Sequence, residues 1–252
     1  MPLLVTDAIV LHAIDYLESS RILRIATREA GVQSVLARGV RSSRKKFGSA
    51  IDLFAEGQAQ LQTKAGRELH TLVSFDVTRA RPQLAAELSR FTAANALTEC
   101  VMRVVHDESA PRVYAGILDG LDAIAVAAPS ETVAAALGAL WRLVSEVGFT
   151  PVLDQCAECQ AEIAEAADAT FSHVAGGTLC ALCERYAPGG RRLPLAARLT
   201  VMEWLAGGVG AISPLEARAH QRLLREFLQH HLTDGRELRA YQVWEQGRWS
   251  EL

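Results

Sequence analysis

Arg21-Ile22-Leu23-Arg24-Ile25-Ala26-Thr27-Arg28-Glu29-Ala30-Gly31-Val32-Gln33-Ser34-Val35-Leu36-Ala37 decides the architecture of the chain. Two runs of β-branched and apolar residues flank Arg28-Glu29-Ala30-Gly31, where Gly31 can take a positive φ at no steric cost, so the stretch reads as a β-hairpin. Ala8–Ala13 reads as a strand before it. Ile51–Leu61 and Glu68–Val77 read as two more after it, parted by a second glycine-bearing turn, Thr63-Lys64-Ala65-Gly66-Arg67. Five closely spaced strands predict a small barrel or sandwich rather than an open α/β sheet, and five is the number an OB-fold barrel uses.

From Pro82 onward the period changes to that of a helix. Leu84, Leu88, Phe91, Ala94, Leu97, Val101 and Val105 recur at three- and four-residue steps. Pro111 can open a second helix through Val113, Ile117, Leu121 and Ile124. A third starts at Pro129-Ser130-Glu131 and is ended by Gly148 and Pro151. Ser213-Pro214-Leu215-Glu216 carries a complete capping-box signature. Leu238–Trp249 reads as a strand or an irregular tail. The expectation is an α+β chain, with a barrel over residues 1–82 and a helical bundle over residues 83–252 that is interrupted once, at about residues 152–188.

The 252 residues are 50% hydrophobic and 22% charged, which excludes collagen-like and disordered classes. No apolar run approaches the roughly 18 residues of a membrane span. Met1–Asp7 has no basic n-region and meets an acid at once, so a cytosolic protein is expected. The net charge of −3 hides an asymmetry: residues 1–82 hold 12 Lys+Arg against 8 Asp+Glu, net +4, and the remainder is net −7. A basic first third suggests contact with a polyanion.

The interruption contains Cys156-Ala157-Glu158-Cys159 and Cys180-Ala181-Leu182-Cys183, two C-x-x-C pairs at zinc-ribbon spacing. A two-residue spacer lets one tight turn aim both sulfurs at a point, and two such knuckles complete a tetrahedral shell. With four thiolates no position is left for water, so the site reads as structural: one Zn²⁺ held by Cys156, Cys159, Cys180 and Cys183. Competing readings are redox pairs, disulfides and plain core cysteines. A redox pair would start a helix in a βαβ context, which neither pair does on this reading, and disulfides are disfavoured in a reducing cytosol. His173, between the knuckles, is an alternative ligand or a solvated loop residue. Cys100 reads as a small core hydrophobe.

Arg38-Gly39-Val40-Arg41-Ser42-Ser43-Arg44-Lys45-Lys46-Phe47 holds five cations in the nine residues 38–46 and no acid. Such a loop presents its charge to solvent, and each phosphate it neutralises releases a counterion. Phe47 can stack on a base or pack into the barrel. Arg218, Arg222 and Arg225 form a stripe that is either a wet helix face or a basic rim for an acidic peptide. His230-His231 diverge around a helix and make a poor metal clamp. The sequence has no P-loop, G-x-S-x-G or H-E-x-x-H motif.

Taken together, Asp7–Leu11, Tyr16–Leu23, Thr27–Gly31, Val35–Arg41, Phe54, Glu68-Leu69 and Leu143–Pro151, followed by the zinc knuckles, resemble the RecO family of bacterial DNA repair proteins, the recombination mediators of the RecF pathway. The resemblance implies an OB-fold, a helical domain and a zinc-stabilised element. It also implies binding of single- and double-stranded DNA, annealing of complementary strands, and cooperation with RecR. The acidic C-terminal tail of single-stranded DNA-binding protein is a further implied partner. The basic loop falls where the family's barrel carries DNA-contacting residues, so Arg38, Arg41, Arg44, Lys45 and Lys46 carry over as a group. Some relatives have lost zinc cysteines; this chain retains all four. The expected protein is therefore a non-enzymatic, cytoplasmic, nucleoid-associated DNA repair factor. Two readings compete: a zinc-ribbon and OB protein–protein adaptor without direct DNA binding, and an enzyme with Cys156 or Cys180 as thiol catalyst.

Overall fold

The computed structural model describes residues 2–40, 51–63, 66–105, 110–164, 168–187, 189–233 and 235–247. Strands β1 (Leu3–Tyr16), β2 (Ser20–Thr27), β3 (Gly31–Ala37), β4 (Glu56–Gln62) and β5 (Leu69–Arg79) close into a barrel in the order β1-β2-β3-β5-β4. Neighbours are antiparallel except β3 and β5. This is the expected five-stranded OB-fold. The β2–β3 hairpin turns as read, with Gly31 at φ 62° and the Thr27 hydroxyl accepting from the Ala30 N–H at 3.0 Å.

Alternating residues such as Val10, Leu23, Ile25, Val35, Leu61 and Phe75 fill the interior. Ile9, Leu11, Val32 and Phe54 point outward into a second core shared with the helices. Strand β4 starts at Glu56 rather than Ile51. The chain turns at Leu53 and Phe54, where Phe54 takes φ 65°, and its N–H donates to the Val10 carbonyl at 2.8 Å. That detour buries the Phe54 ring edge-on to Phe91, with centroids 6.2 Å apart.

The helices are α1 (Gln83–Ala86), α2 (Leu88–Val104), α3 (Pro111–Val126), α4 (Thr132–Glu146), α5 (Ala181–Glu184), α6 (Leu195–Leu205), α7 (Pro214–His231) and α8 (Arg239–Gln246). Pro111 stands in the first turn of α3, and Ser213 and Glu216 close the capping box of α7 in both directions. The period from Pro82 is not one helix: Glu87 is extended (φ −129°, ψ 134°) between α1 and α2. The break resets the phase, so Leu84 is buried while Leu88 is exposed. The C-terminal stretch is neither strand nor tail. It forms α8, whose Tyr241 and Trp244 are buried in the common core. The Glu99 carboxylate of α2 accepts from the Arg239 and Tyr241 N–H groups at 2.9 and 3.0 Å, capping α8 from 140 residues away. Between α4 and α6 lies a small sheet, β7-β6-β8, of β6 (Ala169–Ser172), β7 (Gly177–Leu179) and β8 (Arg191–Leu193). Among the described residues no helix is long and apolar enough to cross a membrane.

Arg81, in the link from β5 to α1, has only 2% of its side chain exposed. It donates to Glu56 of β4 at 2.8 Å, to Asp122 of α3 at 2.7 Å and to the Phe54 carbonyl at 3.2 Å. Arg79 meets the same Asp122 at 2.6 Å. Burial disfavours the charge, but the two carboxylates outweigh it and raise the Arg81 pKa. Arg81→Ala should lower the unfolding free energy by about 3 kcal/mol, because two carboxylates lose their buried partner. Urea denaturation checks this.

His220 of α7 is 3% exposed and packs edge-on to Trp204, with centroids 5.0 Å apart. Desolvation depresses its pKa from 6.5 to about 4. The native state therefore binds fewer protons than the unfolded chain between those values, so stability is full above pH 6.5 and is lost as pH falls towards 4. The loss between pH 7 and pH 5 should be about 2 kcal/mol. It should shrink in His220→Gln when urea midpoints at the two pH values are compared.

Candidate functional site

The four-cysteine cluster is built on backbone pairing. Residues before the first knuckle run alongside β7: the Thr178 N–H donates to the Val152 carbonyl at 2.8 Å, and the Ala157 N–H donates to the Thr178 carbonyl at 2.8 Å. Only glycine fits at Gly177, since a Cβ there would stand 2.3 Å from the Val152 oxygen. The first knuckle closes through the Gln160 N–H onto the Cys156 carbonyl at 2.8 Å, with Gln160 at φ 62°, and the Cys156 N–H onto the Ala161 carbonyl at 2.7 Å. The hairpin expected at Gly176-Gly177 is present and returns the chain to Cys180, which sits at the N-terminus of α5. The second pair thus does start a helix, against the sequence reading, although the helix is a single turn of four residues. The buried Arg198 guanidinium of α6 donates to the Leu153 and Ala164 carbonyls at 3.4 and 2.9 Å, fastening the first knuckle's flanks to the bundle.

The four sulfurs of Cys156, Cys159, Cys180 and Cys183 lie within 4.8 Å of one another, and Cys159 and Cys180 are 3.7 Å apart. All are free thiols, and 3.7 Å is far from the roughly 2.05 Å of a disulfide. Zinc–sulfur bonds of about 2.3 Å at tetrahedral corners put sulfurs about 3.8 Å apart, so the donor set and its spacing fit a metal ion. Local hydrogen bonding prepares the thiolates unequally. Despite desolvation, the N–H groups of Cys180, Cys159 and Glu158 pull Cys156 down to about 6. The N–H groups of Cys183 and Leu182 lower Cys180 as well. Cys183, hydrogen-bonded to Cys159 and partly desolvated, is pushed up to about 12. With all four deprotonated, sulfurs this close would need a cation among them, which a dication held by the cluster would supply.

His173 is not in the cluster. Its Nε2 lies 3.0 Å from Glu226 of α7, its carbonyl is 2.6 Å from His231 Nε2, and desolvation lowers its pKa. Glu226 also takes Arg191 at 2.7 Å and Arg222 at 3.0 Å, which ties the small sheet to α7. Two members of the arginine stripe are therefore spent on acids: Arg222 on Glu226, and Arg225 on Glu245 at 2.7 Å; Arg218 is exposed. Cys100 is buried in α2, where desolvation pushes its thiol well above the usual range.

Of the cationic group, Arg38 stands exposed in the turn that ends β3. Arg41, Arg44, Lys45 and Lys46, and Phe47 beside them, lie outside the described residues. The barrel end that carries Arg38 also carries the β1–β2 turn, with Tyr16 and Leu17 exposed and Leu17 at φ 55°. Sequence reading missed the open outer face leading from there. After a bulge between Val10 and His12, residues His12, Arg24 and Ser34 align across β1, β2 and β3, and Ile14, Ile22 and Leu36 form the next row. The signal was present as alternation in Ile14 and Tyr16, but the bulge had shifted the phase from Ile9 and Leu11, which face the helices.

Known families match both halves. A model described as "Recombination protein O N terminal" matches residues 1–81, and one described as "Recombination protein O C terminal" matches residues 85–240. A DNA repair protein RecO from Anaeromyxobacter sp. (strain K) is 37% identical over 244 residues, 92% of each chain. One from Nocardioides sp. (strain ATCC BAA-499 / JS614) is 30% identical over 243 residues, 93% of this chain and 97% of the relative. One from Thermobifida fusca (strain YX) is 30% identical over 237 residues, 91% of this chain and 93% of the relative.

Elemental analysis of the purified chain should find about one metal ion per molecule, and Cys159→Ser should lose it. Thiol alkylation should be slow until a chelator is added, after which four sites react and the thermal midpoint falls. Rapid alkylation of the untreated metal-loaded chain would argue against a closed site.

Proposed function

The chain belongs to the RecO family of DNA repair and recombination proteins, and from that premise we propose that it binds single- and double-stranded DNA through its barrel, anneals complementary strands, and acts with RecR on strands coated by single-stranded DNA-binding protein. The observation that carries this reading is the run of five cations in residues 38–46, in a first third of net charge +4, with Arg38 exposed in the turn that ends β3. Annealing needs no reacting group. A protein that screens phosphate repulsion on two strands, without gripping their pairing edges, lowers the barrier to pairing. In this scheme residues 1–82 are the nucleic-acid-binding domain and residues 83–252 the helical domain, with the metal-binding insertion at about 152–188. Cys156, Cys159, Cys180 and Cys183 hold one structural Zn²⁺, which supplies rigidity and no chemistry. The acidic tail of single-stranded DNA-binding protein is the partner expected for a cationic surface of this chain, which works in the cytoplasm at the nucleoid. Against thiol catalysis by Cys156 or Cys180 stands the convergence of all four cysteines on one point, where a held ion would occupy both lowered-pKa sulfurs.

The test is binding to an oligonucleotide by fluorescence anisotropy across a salt series. Replacing Arg41, Arg44, Lys45 and Lys46 together by Ala should collapse affinity at low salt. It should also make the log–log salt slope shallower by roughly three, at about 0.7 per phosphate contact on single strands. Unchanged binding would reject the loop as the contact. Full strand annealing by that variant would favour the adaptor reading.

A further inference from the structure

We propose that the groove between α6 and the first cysteine knuckle receives a basic amphipathic helix of a partner protein, which lays its apolar stripe along Leu195, Leu199 and Met202 and turns its cations towards Asp154 and Glu162. Every residue lining the groove belongs to the helical half, so this surface stands independently of the DNA-binding reading above.

One wall of the groove, which holds about 710 Å³, is a helix face. Leu195, Leu199 and Met202 recur at i, i+4 and i+7 of α6, so they form one stripe over two turns, about 10 Å long. Leu199 is 50% exposed and Met202 37%, and the half-buried Ile163 extends the apolar surface across the groove. On the opposite side of α6, Val201 and Trp204 are buried in the common core. A helix that is apolar on two opposite sides belongs between two partners, and α6 has its inner one only among the described residues. An unbranched methionine in the outer stripe suits a surface that adapts to the side chains of another protein.

The facing wall decides the chemistry of the occupant. Asp154, Gln155 and Glu162 line it, and all three are exposed. Their backbone is already engaged: the Ile163 N–H donates to the Asp154 carbonyl at 3.1 Å, and the Thr178 hydroxyl donates to the Gln155 carbonyl at 2.9 Å. The wall therefore offers side chains rather than a free strand edge, which favours a helix in the groove over an added strand. The carboxylates of Asp154 and Glu162, and of Glu158 in the same knuckle, make no ion pair with a described residue. Arg198 lines the floor, but it is 2% exposed and its guanidinium donates to the Leu153 and Ala164 carbonyls. Negative charge thus stands beside an apolar stripe, in a part of the chain whose net charge is −7. Such a rim repels acidic peptides and polyanions and selects a cationic partner.

The probe is a fluorescein-labelled peptide of leucine and lysine, about five helical turns long with leucine at i, i+3, i+4 and i+7, titrated with the full chain and followed by anisotropy. Binding in the micromolar range is expected. Leu199→Gln with Met202→Gln, which keeps helix propensity, should weaken it by at least about tenfold. Asp154→Asn with Glu162→Gln should weaken it about three- to tenfold at low salt, a difference that vanishes at high salt. Glu131→Gln with Glu146→Gln, at exposed acids outside the groove, should leave affinity unchanged. Circular dichroism of each variant confirms the fold. The proposal is overturned if the wild-type chain does not bind the peptide, or if either groove variant binds it as tightly. It is also overturned if sedimentation shows a wild-type dimer that Leu199→Gln with Met202→Gln abolishes, which assigns the groove to a second copy. Loss of oligonucleotide affinity in that same variant would assign it to nucleic acid and overturn it as well.

Discussion

One guanidinium fixes how the two halves of this protein meet. Arg81 stands where the barrel ends and the helices begin, and it must find partners because a charge so deeply buried cannot be left alone. It takes one carboxylate from β4, one from α3 and a backbone carbonyl from the Phe54 turn. Each partner comes from a different element, so the barrel has one orientation in which all three are satisfied. Apolar packing of Ile9, Leu11, Val32 and Phe54 against the helices supplies most of the contact area, but that contact is non-directional. The ion network supplies the direction. Its consequence is that only part of the barrel is covered, and the rows headed by His12 and Ile14 remain open to solvent.

Local rules were legible in the sequence wherever local causes act. The β2–β3 hairpin, Pro111 at the head of α3 and the Ser213–Glu216 box each depend on residues a few positions apart, and each stands as read. The misreadings have non-local causes. Ile51–Leu61 was too long a strand because Phe54 is drawn out of the ladder to fill the seam with Phe91. The single helix from Pro82 is two, because Glu87 is extended and shifts Leu88 to the surface. The C-terminal segment looked ambiguous because its cap, Glu99, lies far away in the chain. The open sheet face was hidden by one extra residue in β1, which exchanges the two sides of the strand midway.

The thiol cluster and the bundle are joined by side chains unrelated to metal binding. Arg198 holds the backbone on either side of the first knuckle, and Glu226 gathers His173, Arg191 and Arg222. The small sheet is too short to stabilise itself, at four, three and three residues per strand. The thiol cluster on one side and these ion pairs on the other tie it to the helical half. The arginine stripe on α7, which as a sequence pattern suggested a free basic rim, is largely absorbed into this internal bracing.

The carboxylate of Glu99 has a bearing on how the molecule is made. The slot on α2 that receives Tyr241 and Trp244 is complete long before those residues leave the ribosome, since more than a hundred positions separate them. Until then Leu97 and Val101 face an unfinished core, and two acceptor oxygens wait for amides not yet synthesised. The helical half is thus assembled from its second helix and its last, and a nascent chain released a few residues early would leave the ribosome with that groove uncapped and adhesive.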